Sequence, residues 1–187
     1  MRTRPLVALT CLLFFLVAGC STPEPIPQAP AYRPTATVKD IMDSMIDPSA
    51  DAVWESVGTV IDATGTHETF PQNDEEWAAV RRHAVILMEA ANLLLMPGRH
   101  IARPGEKAED PKIELSPEAI EELVKQDRQT WDRLALALHE GAASAIKFID
   151  SKDTEGIMTA GDAIYQACDS CHRKYWYPND ELGLRRF

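Results

Sequence analysis

The chain is poor in cysteine, in positive charge and in period-two patterning, and each shortage excludes a class of protein. Four cysteines in 187 residues, at positions 11, 20, 168 and 171, do not make a disulfide scaffold. Nineteen lysines and arginines stand against 29 acids, a formal charge of −10. That balance argues against nucleic acid and against an anionic membrane surface as partners. Apolar and polar residues nowhere alternate for long enough to make a strand, so the expected class is all-α. There is no phosphate-cradling glycine loop and no Gly-x-Ser-x-Gly elbow. None of the five histidines has a glutamate three residues before it, which removes the Glu-x-x-His pattern of a di-iron bundle.

The first 19 residues read as a targeting segment. Arg2 and Arg4 form a basic start, and the apolar run Leu6 to Val17 is too short to span a bilayer comfortably. It ends in Leu16-Val17-Ala18-Gly19-Cys20, which resembles the lipobox of bacterial lipoproteins. By that resemblance residues 1–19 are a signal peptide, the chain is cut before Cys20, and the Cys20 thiol is lipidated. The alternatives are an ordinary signal peptide and an uncleaved anchor. Ser21 comes next, where such lipoproteins often carry a residue that permits transfer to the outer membrane. The expected location is therefore the periplasmic side of the envelope, lipid-anchored, at the outer membrane.

Loss of Arg2 and Arg4 moves the formal charge to −12 and leaves 168 residues, enough for one domain with a core. Residues 20–37 comprise the lipidated cysteine and a tether. Pro23, Pro25, Pro27, Pro30 and Pro34 favour an extended spacer, at about 3 Å per residue.

From 38 to 187 the pattern is helical. Val38, Ile41, Met42, Met45 and Ile46 form a stripe that Asp47-Pro48 interrupts. Val53, Val57, Val60 and Ile61 continue it to Gly65, so one kinked first helix is expected. A second helix opens at Asn73, where Asn73 and Glu76 have capping-box spacing, and stops at Pro97-Gly98. Residues 98–115 read as a surface crossover. A third starts at Ser116-Pro117 and runs to about Asp150. A fourth begins after Asp153 and places Ile157, Gly161, Ile164, Cys168, Cys171 and Tyr175 on one face. The expected fold is an antiparallel four-helix bundle.

The chemistry-bearing stretch is Cys168-Asp169-Ser170-Cys171-His172, a C-x-x-C-H motif, the attachment signature of a c-type haem. On a helix these residues fall at i, i+3 and i+4, so both sulfurs and the imidazole share a face. Two thioethers and a proximal imidazole would hold one covalent haem c. A zinc half-site and a thioredoxin-like dithiol use the same residue types. Zinc needs four ligands, and no second cysteine pair remains. The dithiol would come after a strand, and none is seen.

With the motif on the last helix of such a bundle, the chain resembles cytochrome c′ and its methionine-ligated relatives, the class II c-type cytochromes. The resemblance runs from Val38 to Trp176. It extends to an aromatic residue three past the histidine, here Tyr175, which it places at the haem. Tyr165 stands where the family commonly has a basic residue. In the family, first-helix residues cover the distal face of the haem. The resemblance thus implies Met42 as sixth ligand, with Met45 as the alternative or neither. Methionine ligation makes an electron carrier rather than an enzyme, whereas an open sixth site binds small gases such as NO and CO. Both methionines also fit as packing residues. The implied partners are redox proteins of the periplasm or envelope membrane, and a homodimer is a common state in the family. His83 and His139 are the remaining helical histidines, and they read as marking polar faces.

Overall fold

The computed structural model describes residues 32–178. The signal segment 1–19, Cys20 and the tether up to residue 31 lie outside the described residues. The described chain is mostly helical, with one small two-stranded sheet.

Local chemistry starts the first helix. Thr37 Oγ1 accepts the Asp40 N–H at 3.1 Å, and the Asp40 carboxylate accepts the Thr37 N–H at 3.0 Å. This capping box opens α1 (Val38–Ile41). The helix then passes through one wide π turn, Met42–Ile46, into α2 (Asp47–Trp54). The expected kink is therefore a π turn, set just ahead of Pro48, whose ring would crowd the carbonyls of the preceding turn.

The helix does not reach Gly65. It ends at Trp54, and the next residues form an antiparallel hairpin, β1 (Gly58–Asp62) with β2 (Gly65–Thr69). This corrects both the single long first helix and the absence of strands. Val60 and Ile61 sit at helical spacing from Val53 and Val57, yet they are 61 % and 78 % exposed. A run of β-branched residues, Thr59-Val60-Ile61, favours extended backbone. The turn is closed locally, since Asp62 Oδ1 accepts the Thr64 N–H at 2.7 Å and Gly65 adopts φ +134°.

Helix α3 (Asp74–Leu94) starts at Asn73 as expected, its side-chain oxygen accepting the Glu75 and Glu76 N–H groups. The third expected helix is two. A short α4 (Pro117–Gln126) breaks at Asp127, with φ −134° and ψ 59°, before α5 (Arg128–Asp150). Asp127 is occupied on every side: its carboxylate accepts the Thr130 N–H and meets the Lys174 ammonium at 2.7 Å, and its carbonyl accepts the Tyr175 hydroxyl at 3.0 Å. Helix α6 (Thr154–Tyr175) is capped by Asp153 through the Gly156 N–H.

Cross-helix pairs give the directions. Arg81 near the start of α3 pairs with Asp150 at the end of α5, and the Trp131 indole N–H at the start of α5 donates to the Leu94 carbonyl at the end of α3. These helices are antiparallel. The tight turn Ser151–Asp153 makes α5 and α6 antiparallel in turn. The Trp54 indole N–H, at the end of α2, reaches the Gly161 carbonyl at 3.0 Å in the middle of α6. Ile41, Leu87, Trp131, Ile164 and Tyr175 are fully buried between these elements. The crossover before α4 is pinned at both ends. Val38 and Lys39 donate to the His100 and Ile101 carbonyls, and Leu115 donates to the Trp176 carbonyl.

Candidate functional site

Cys168, Cys171 and His172 lie on the last turns of α6, and all three side chains face one cleft. The first helix supplies the opposite wall, where Met42, Ile46, Ala50 and Trp54 line the same space. Leu94 of α3 and Leu138 of α5 close its floor, and Asp47 and Asp51 stand at its edge. The cleft has a volume of about 190 Å3, below the ~300–1,000 Å3 of a typical small-molecule or cofactor site. Its lining is mainly apolar.

Small residues let the helices approach here. A methyl group at Gly161 would stand 3.0 Å from Trp54 Cδ1, and one at Gly141 would stand 3.1 Å from Ile164 Cγ1. Glycine at these positions allows α6 to sit close to both α2 and α5.

The electrostatics of the motif arise from burial. Burial pushes the Cys168 thiol up to about 12, and the nearby Asp47 carboxylate adds to it. Cys171 is also pushed up to about 12 by burial, then by its neighbour Cys168. Redox-active dithiols work through a lowered thiolate pKa, and this pair is shifted the opposite way. Burial lowers the His172 imidazole to about 4, against a smaller opposing pull from Asp169. The ring is therefore neutral at pH 7, the form that ligates a metal. Burial, then the charges of Asp43 and Asp51, raise the Asp47 carboxyl above its ordinary value.

The π turn separates the two methionines. In a regular helix Met42 and Met45 would share a face, but the wider turn carries Met45 off it. Met42 lines the cleft, whereas Met45 packs partly buried against the core. Tyr175 turns the other way. It is fully buried, its ring 5.2 Å from that of Trp131 in an edge-on pair, and its hydroxyl is tied to Asp127. Its place in the structure is at the junction of α4, α5 and α6, outside the lining of the cleft. His83 pairs with Ser49 at 3.4 Å and His139 lies beside Glu140; neither lines this cleft.

A second, more polar cleft shares Met42, Asp47 and His172 with the first. Its outer wall is the crossover, through Ile101 and Leu115, together with Trp176 and Tyr177. Trp54, Asp47 and Leu138 were not legible as site residues. The tryptophan reads as core, and the aspartate reads as part of a helix break.

The residues present fit a covalent haem. Two half-buried thiols and a neutral imidazole share one helix face, and a thioether stands among the apolar residues of the facing helix. They do not fit zinc, because among the described residues no three histidines, cysteines or acids are grouped to hold a metal ion. Comparison with protein-family models, with curated proteins and with solved structures gives no match.

Proposed function

We propose that the chain is a c-type cytochrome of class II character, carrying single electrons at the periplasmic face of the envelope. The observation that supports it is the meeting of Met42, Cys168, Cys171 and His172 in one apolar cleft, although Met42 and the motif lie at opposite ends of the domain sequence. In this reading α1–α2, α3, α5 and α6 are the four helices of an antiparallel bundle. The pairings of Arg81 with Asp150 and of Trp54 with Gly161 agree with it.

Cys168 and Cys171 would hold one haem c covalently, with His172 as proximal ligand and Met42 as the sixth. When bound, the haem supplies a one-electron iron couple, whose potential a methionine ligand raises. The chain's own contribution is positional. Helix α6 aims two sulfurs and an imidazole in one direction, burial keeps that imidazole neutral, and Ile46, Leu94 and Leu138 give the cleft an apolar lining. Lipid on Cys20, rather than surface charge, would tether the domain to the membrane, since the chain is acidic. Its partners would be redox proteins of the periplasm or envelope, and a homodimer is part of the same proposal.

A second reading is a five-coordinate haem protein that binds NO or CO. It holds if Met42 only packs and neither Asp47 nor Asp51 ligates, because Ile46, Ala50 and Trp54 on the same wall carry no ligating side-chain atom.

Absorption spectra of the ferric and ferrous protein, with and without carbon monoxide, separate the two. The expected result is a low-spin spectrum with little response to carbon monoxide. A prompt shift with carbon monoxide would favour the gas-binding reading. Absence of haem bands, in protein made with the maturation machinery present, would overturn both. Replacing Cys168 and Cys171 by alanine should leave no haem that survives acid–acetone extraction.

A further inference from the structure

The residues just after the motif fold back over it. The Trp176 and Tyr177 N–H groups both donate to the His172 carbonyl, each at 2.8 Å. Their rings come with them. The Trp176 ring centroid lies 5.8 Å from that of the imidazole, tilted by 53°, and the Tyr177 centroid lies 6.0 Å away, edge-on at 84°. Both separations fall within the roughly 4.5–7 Å of interacting aromatic pairs. The crossover holds this arrangement from outside, because the Leu115 N–H donates to the Trp176 carbonyl at 3.0 Å. His172, Trp176 and Tyr177 together line the second cleft. Tyr175 has no part in it, being committed to Trp131 and Asp127.

We propose that Trp176 and Tyr177 are positioning residues for His172. Their two rings fix the plane of the imidazole and keep water from it on the side of the second cleft. The proposal rests on the reading of His172 as the proximal ligand. The outer torsion of a histidine is soft, so the covalent motif sets where the ring sits without setting its rotation. Two rings at different inclinations supply that constraint. Outer-shell contacts of this kind set ligand orientation, and burial around a ligand sets the potential.

The test uses the full haem-loaded chain with Trp176→Ala, Trp176→Phe and Tyr177→Ala. Covalent haem content should match the wild type in all three. Trp176→Ala and Tyr177→Ala should change the ferric electron paramagnetic resonance g-values and lower the reduction potential, as water reaches the ligand. Trp176→Phe, which keeps a ring, should restore most of both. Unchanged g-values and potential in both alanine variants would overturn the proposal. If the wild-type chain takes up no haem, the functional reading fails, and the clamp is then judged on the haem-free chain. There the His172 ring protons should carry a ring-current shift in the nuclear magnetic resonance spectrum that Trp176→Ala removes. An identical shift in that variant would overturn the clamp. Should Trp176→Ala fail to fold, Tyr177→Ala decides by the same readouts.

Discussion

Gly161→Ala should change sign with the residue at position 54. In a helix interior, alanine is favoured over glycine by roughly 0.5–1 kcal/mol. Against that gain, the new methyl would stand 3.0 Å from Trp54 Cδ1 and 3.4 Å from its Nε1. The indole must move, and moving it strains the 3.0 Å bond from its N–H to the Gly161 carbonyl. Crowding of this kind costs about 1–3 kcal/mol, and a neutral hydrogen bond is worth about 1 kcal/mol. Trp54 is partly exposed and has room to yield, so the low end applies. Gly161→Ala should then destabilise the otherwise unchanged protein by about 1 kcal/mol, or about 2–4 °C in Tm for a domain of this size. In a Trp54→Ala background nothing else lies within 4 Å of the methyl, and the same substitution should stabilise by about 0.5–1 kcal/mol. Urea unfolding followed by circular dichroism gives all four corners of the cycle. A Gly161→Ala effect of the same sign and size in both backgrounds would refute the argument that glycine is there to admit the indole.

The methionines give a second prediction. Met42→Ala should convert a low-spin ferric spectrum to a high-spin one that responds to carbon monoxide, whereas Met45→Ala, off the cleft, should leave the spectrum unchanged and cost some stability. A third concerns pH in the haem-free chain. The His172 pKa is depressed, from 6.5 to about 4, so its contribution is present above pH 6.5 and is lost as pH falls toward 4. Its ceiling is about 3 kcal/mol. The raised pKa of Asp47 works the other way and blunts the loss. A plot of urea midpoint against pH should fall across that window and flatten in His172→Gln; an equal slope in both would remove burial of this imidazole as the cause.

What was legible in the sequence was what local chemistry decides. Asn73, Ser116 and Asp153 mark helix starts because each side chain bonds its own first turn. The motif placed two thiols and an imidazole on one helix face, and they do line one cleft. The failures came where spacing had two readings. Val60 and Ile61 extend a helical stripe on paper, but both lie exposed, and β-branched backbone preference prevails. The break at Asp127 depends on Lys174 and Tyr175, far along the chain. Trp54 lines the cleft and also bonds the Gly161 carbonyl of α6, contacts that no spacing rule announces.

The π turn links these observations to the site. A π turn adds one residue to a helix and rotates the segment before it relative to the segment after it. Here the N-terminal segment is anchored, since Val38 and Lys39 are bonded to the crossover and Asp40 pairs with Arg103. The C-terminal segment is anchored too, by Trp54 on α6. With both ends held, the extra residue is taken up between them, and that sets which methionine faces Cys168 and His172. Period-3.6 reasoning gives Met42 and Met45 equal access to the cleft, and the wide turn leaves it to Met42. Which methionine faces the cleft in this chain is thus a matter of helix register, fixed by contacts at Val38 and Trp54 rather than by the methionines themselves.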